Sequence, residues 1–158
     1  MPHLIVKDIF MPIMELLFRL VNFNTFRPSK EENFLLEAEL FIGICTELKE
    51  IFRKQESNYF NLMKFSREEE DTMLDAKFVR LIINDILSTN EYNLQGIACY
   101  AKTYLEVVEE IIIGRNTNPS AALLQRLIEL HQSVRRELYN KIIKKHLSMI
   151  LAKMVKVE

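Results

Sequence analysis

Apolar residues recur along this chain in steps of three and four, the spacing of one face of an α-helix. Ile9, Ile13, Leu16, Leu17 and Leu20 predict a first amphipathic helix ending near Asn22. Asp8 would cap a start at that point, whereas Pro12 favours a start at Met11, because a first-turn proline gives up no intrahelical hydrogen bond. After a connection through Asn24 and Pro28, Ser29 and Glu32 carry a capping-box signature. The second helix should then reach about Arg53. Phe34, Ala38, Phe41, Cys45, Leu48 and Phe52 form its stripe, widened by Leu36, Leu40, Ile44 and Ile51. Gly43 lies in the middle of this helix, where it costs roughly 1 kcal/mol relative to Ala, and reads as a close-packing contact.

Gln55 to Phe65 is a less regular connection with one short turn through Tyr59 and Leu62. Ser66 and Glu69 repeat the capping box, and Glu68, Glu69, Glu70 and Asp71 place negative charge on the positive end of a third helix. Leu74, Phe78, Leu81, Ile82 and Leu87 carry that helix inward to about Ser88. A fourth helix is expected from Leu94 to Ile113, with Ile97, Ala101, Tyr104, Val108 and Ile111 on one stripe and Gly114 as its stop. Asn118 as cap and Pro119 at the first helical position start a fifth, reaching as far as Lys153. Leu123, Leu127, Leu130, Val134 and Leu138 line it, and Ile142, His146 and Ile150 continue with a shifted phase.

The punctuation agrees with this pattern. There are three glycines and four prolines in 158 residues, and no proline between Pro28 and Pro119. The expected fold is all-α, a single helical bundle domain of about five principal helices over residues 1–158, packed around the second and fourth. The net charge of −1 argues against a surface built throughout for nucleic acid. Cys45 and Cys99, each beside apolar neighbours, read as buried thiols rather than a disulfide. With Lys7 and Asp8 breaking the apolar start, a reducing cytoplasm is expected. No window of 18 apolar residues exists to span a membrane.

Catalytic signals are sparse. The glycines are too far apart for a phosphate loop, and His3, His131 and His146 share no metal-ligand spacing with each other or with a cysteine. The acidic run before Asp71 reads as helix capping. Arg126 and His131 fit the R-x4-H spacing of HEPN ribonucleases, with Leu127 where that family usually has a polar residue, but packing and solvation are the commoner roles for such a pair. The expectation is a non-enzyme with no catalytic residue, no metal and no cofactor.

From Arg135 onward there are seven basic residues, Arg135, Arg136, Lys141, Lys144, Lys145, Lys153 and Lys156, against Glu137 and Glu158, a net +5. A charge run of this kind is by default a solvated helix face. It also suits an acidic partner or nucleic acid, or a segment beside a membrane.

The layout resembles the TssL/DotU family, inner-membrane subunits of type VI and related secretion systems. The resemblance rests on the opening helix from Met11 to Leu20, on the long helix from Glu31 to Phe52, and on the helix from Asp75 to Leu87. That last helix has an acidic start and a central pair, Asn84-Asp85, where the family has two acids. Leu138-Tyr139 with flanking basic residues is similar to the last helix. The resemblance implies a scaffold at the cytoplasmic face of a bacterial inner membrane, with an IcmF/TssM-like membrane protein and baseplate components as partners and no nucleic acid. Asn84 and Asp85 would meet partner subunits. Arg135, Arg136, Lys141, Lys144 and Lys145 would lie near the membrane, ahead of an anchor beyond Glu158. The alternative is a soluble helical adaptor, chaperone or regulator that binds another protein.

Overall fold

The structure, a computed structural model, describes residues 30–155. The first predicted helix, its two candidate starts and the Ser29 cap lie outside them. Among the described residues there are seven helices and no strand, so the chain is all-α as expected. They are α1 (Lys30–Gln55), α2 (Ser57–Met63), α3 (Arg67–Ser88), α4 (Leu94–Tyr100), α5 (Leu105–Ile112), α6 (Ala121–Val134) and α7 (Arg136–Val155).

The chain divides into two compact units. In the first, which holds α1 as far as Glu47 and the chain from Glu137 on, Gly43 of α1 takes the His146 ring of α7, and Lys145 Nζ bonds Glu47 Oε1 at 2.7 Å. Among its described residues Leu40, Ile44, Tyr139, Ile142, Ile143 and Leu147 have buried side chains. The predicted stripe of α1 is rotated. Leu40, Ile44, Leu48 and Phe52 are buried, whereas Phe41, Ala38 and Cys45 are only half-buried and Phe34 is 69% exposed. The apolar run is wide enough to fill two overlapping stripes, and periodicity does not choose between them.

The second unit is Leu48–Arg136. Phe52 meets Phe78 edge-on at 6.2 Å, and Arg53 of α1 binds Glu50, Glu70 and Asp71. The acidic start of α3 therefore has two duties. The Ser66–Glu69 capping box forms as predicted, and Glu70 and Asp71 hold Arg53. Leu74, Phe78, Ile82 and Ile86 step along α3 by four and are all buried, and α3 packs on α6, whose Leu123, Leu127 and Leu130 are buried as well. Each such side chain contributes roughly 1.5–3 kcal/mol of burial. The expected connection before Phe65 contains α2, whose Phe60 is buried.

The long last helix is two helices. Ser120, not Asn118, caps α6, accepting from the Leu123 N–H at 3.2 Å. Arg135 (φ −126°, ψ 50°) leaves helical geometry between α6 and α7. The shifted phase after Leu138 is the trace of this break.

Candidate functional site

The predicted fourth helix is also two helices, and this changes what the molecule presents. Asn93 caps α4, its Oδ1 accepting from the Gly96 N–H at 2.7 Å. Only seven residues later the chain turns. Lys102 takes φ 53°, its N–H bonds the Cys99 carbonyl at 3.2 Å, and the Thr103 N–H bonds the Ala98 carbonyl at 3.0 Å. This pair of bonds around a left-handed residue is a Schellman stop, built here on lysine rather than glycine. Tyr104 is extended (ψ 149°) and begins α5. At the far end Gly114 (φ 81°) makes a second Schellman stop, with the Arg115 N–H bonding the Glu110 carbonyl at 2.9 Å.

The turn of four residues, Ala101 to Tyr104, folds α4 and α5 against each other. Ile97 and Ala98 before it, Ala101 at its start, and Val108 and Ile111 after it are buried at 2% exposure or less. Both helices are framed from behind, since α3 packs on α5 and α6 packs on α4. Arg126 of α6 fastens the turn by donating from its guanidinium to the Ala101 carbonyl at 3.1 Å. Two short helices joined by a four-residue turn, with α3 and α6 packed against them, share the layout of helical hairpins and of helix-turn-helix units. In a straight helix Tyr104 would have pointed into the core; instead it is 79% exposed.

The outward side of α5 holds Glu106, Glu109 and Glu110, none in an ion pair or side-chain hydrogen bond among the described residues. Exposed cations flank the helix, Lys102 before it and Arg115 after it, likewise without an ion pair there. The pattern is a cation at each end and carboxylates between.

No family, curated protein or solved structure matches this chain. The functional reading therefore rests on the geometry.

The residues singled out from sequence are distributed as follows. Asp85 does not stand free. Its Oδ2 lies 2.7 Å from His131 Nε2 and accepts from Arg135 Nε at 3.0 Å, while Oδ1 accepts from Arg135 Nη2 at 3.1 Å. Burial pushes the Asp85 carboxyl up, but the hydrogen bonds and charges of Arg135 and His131 outweigh it and leave it below its ordinary value. Burial holds His131, 1% exposed, below the usual imidazole range despite Asp85, so the neutral ring donates from Nε2. This is a tie between α3 and the end of α6, made at the residue where helical geometry breaks. Asn84 beside it is exposed.

Arg126 and His131 do not converge on a common point, one being bound to Ala101 and the other to Asp85. Of the basic set, Arg135 is held by Asp85 and Lys145 by Glu47, while Arg136, Lys141 and Lys144 are exposed. Cys45 is half-buried and Cys99 exposed, so the expectation of buried thiols fails, and neither forms a disulfide. Among the described residues no helix is long and apolar enough to cross a membrane, and no group of His, Cys, Asp and Glu is placed to hold a metal.

Proposed function

We propose that this chain is a DNA-binding protein that docks α5 in the major groove of a duplex. The observation that supports this reading is the pair of short helices joined by a four-residue turn, the layout that helix-turn-helix units use. α4 and α5 each end in a Schellman stop and pack against each other. In such units the second helix enters the groove while the first crosses the backbone. Lys102 and Arg115 flank α5 where phosphates would run on either side of the groove, and phosphate contacts supply most of the affinity. The reading departs from the sequence-derived expectation of protein partners alone.

The test is fluorescence anisotropy of the full chain with a pool of random duplex DNA at 50 and 200 mM salt. Binding should weaken as salt rises. Lys102→Ala and Arg115→Ala should each lower the affinity and flatten the salt dependence by about one unit of slope. Absence of binding at 50 mM salt, or binding indifferent to both substitutions, would refute the reading.

A second reading has its own support. Three unpaired carboxylates on α5 repel phosphate, and Phe34, Leu35 and Ile42 of α1 are each at least 64% exposed. These suit a protein partner and a non-enzymatic scaffold or adaptor. The TssL/DotU resemblance would make that scaffold a secretion-system subunit at the inner membrane, with an IcmF/TssM-like partner. Cell fractionation and copurification with that partner test it. A protein found wholly in the soluble fraction and failing to copurify argues against it.

A further inference from the structure

We infer that α2 is a membrane-docking element, one that sets Leu62 and Met63 into the surface of an anionic lipid bilayer. Tyr59, Leu62 and Met63 are spaced i, i+3 and i+4 and so share one side of α2. Each is exposed, Leu62 at 79%, Met63 at 49% and Tyr59 at 39%. A different residue anchors the helix. Phe60 is buried and meets Phe65 with ring centroids 6.1 Å apart. Leu62 and Met63 therefore form an apolar tip on the last turn of α2, which Lys64 ends in a left-handed conformation.

Cations accompany this tip. Lys64 follows Met63 directly and is exposed, and Lys77 of α3 holds its Nζ 5.3 Å from the centre of the Tyr59 ring. Among the described residues neither lysine is in an ion pair. From Ser57 to Arg67 the chain has no carboxylate. Of the acids that follow, Glu69 closes the Ser66 cap, and Glu70 and Asp71 hold Arg53. Glu56 before the segment and Glu68 after it are the nearest in sequence outside those ties. A bilayer fits this surface better than an acidic protein does. A stable protein interface takes about 800 Å² from each partner, more than three side chains on two turns of helix offer. A bilayer sets no such requirement. It takes a small apolar tip into the acyl boundary, meets the lysines with headgroup phosphates and accepts a tyrosine at headgroup depth.

The chain has no tryptophan, so Leu62→Trp in the full chain puts a single fluorescent reporter on the tip. With vesicles of equal parts phosphatidylserine and phosphatidylcholine its emission should shift to the blue, and the parent should sediment with the same vesicles. Vesicles of phosphatidylcholine alone should bind about tenfold less. Lys64→Ala and Lys77→Ala should each weaken binding to the anionic vesicles about fivefold, and Leu62→Ala about tenfold. Circular dichroism of each variant verifies folding, and Leu62 and Lys64 are exposed enough to tolerate the change. Equal binding to neutral vesicles, an emission that does not move, or sedimentation untouched by all three alanine substitutions overturns the inference. Failure of the parent to bind either vesicle overturns it as well and leaves the α2 face to a protein partner.

Discussion

The imidazole of His146 occupies the space into which a side chain at Gly43 would grow. A Cβ on Gly43 would lie 2.7 Å from both Nδ1 and Cε1 of the ring, inside any real carbon contact. The mid-helix glycine is thus explained by a partner about a hundred residues away in sequence, on α7.

Gly43→Ala should consequently destabilise the protein although alanine is the better helix former. Propensity favours alanine by about 1 kcal/mol. Forcing the ring aside costs about 1–3 kcal/mol, as overpacking usually does. A net loss of about 1 kcal/mol is expected in urea denaturation. In a His146→Ala background the sign should reverse and Gly43→Ala should stabilise. Equal effects in both backgrounds would mean that the ring is not what excludes the side chain.

The Asp85–His131 pair makes stability fall on acidification. Both groups have folded values below their unfolded ones, 6.5 for His131 and 3.8 for Asp85. Such a group contributes stability above its unfolded value and loses it as pH falls through its folded value. Stability should start to drop below about pH 6.5 through His131, and again below about 3.8 through Asp85. His131→Gln keeps a donor toward Asp85 and removes the titration, so its stability should be flatter between pH 6.5 and 5. A slope equal to that of the parent in that interval would remove His131 from the account.

Leu48 and Phe41 separate the two stripes that α1 offers. Leu48 is 0% exposed, and Leu48→Ala should cost about 2–5 kcal/mol. Phe41 is half-buried, and Phe41→Ala should cost clearly less despite the larger side chain. Equal losses would restore Phe41 to the core.

The all-α class, the capping box at Ser66 and the close contact at Gly43 were legible because each has a local signature. Two of the helix ends were not. α2 ends at Lys64 (φ 54°) and α4 at Lys102 (φ 53°), lysines in a conformation that sequence reading assigns to glycine or asparagine. At α4 the pattern also misleads. Ile97, Ala101, Tyr104, Val108 and Ile111 keep helical spacing straight across the turn, because both helices must face the same core. Only Tyr104, the member that the turn expels, departs from the pattern, and nothing in the sequence marks it. The break at Arg135 was half visible, as a change of phase. The partner that Arg135 meets at the break, the carboxylate of Asp85 fifty residues earlier, was not. The candidate site followed the same rule, since the turn from Ala101 to Tyr104 is what creates it.

That turn supplies the last prediction. Lys102 is held left-handed, which costs an L-residue roughly 1–2 kcal/mol and glycine nothing. Lys102→Gly relieves this, while the freer unfolded chain takes part of the gain back. A net stabilisation of up to about 1 kcal/mol is expected in thermal or urea unfolding. The same change removes one of the two cations that flank α5, so duplex affinity should fall and the salt slope should flatten by about one unit. Stability and binding therefore move in opposite directions in a single variant, which a loss of folding cannot imitate. Arg126→Ala provides the converse. It frees the Ala101 carbonyl from its clamp, a loss of about 1 kcal/mol, without removing a cation that flanks α5. Stability should drop, and the salt slope of whatever binding remains should match the parent. If Lys102→Gly stabilises the protein and leaves duplex binding and its salt slope unchanged, Lys102 is a helix stop and nothing more.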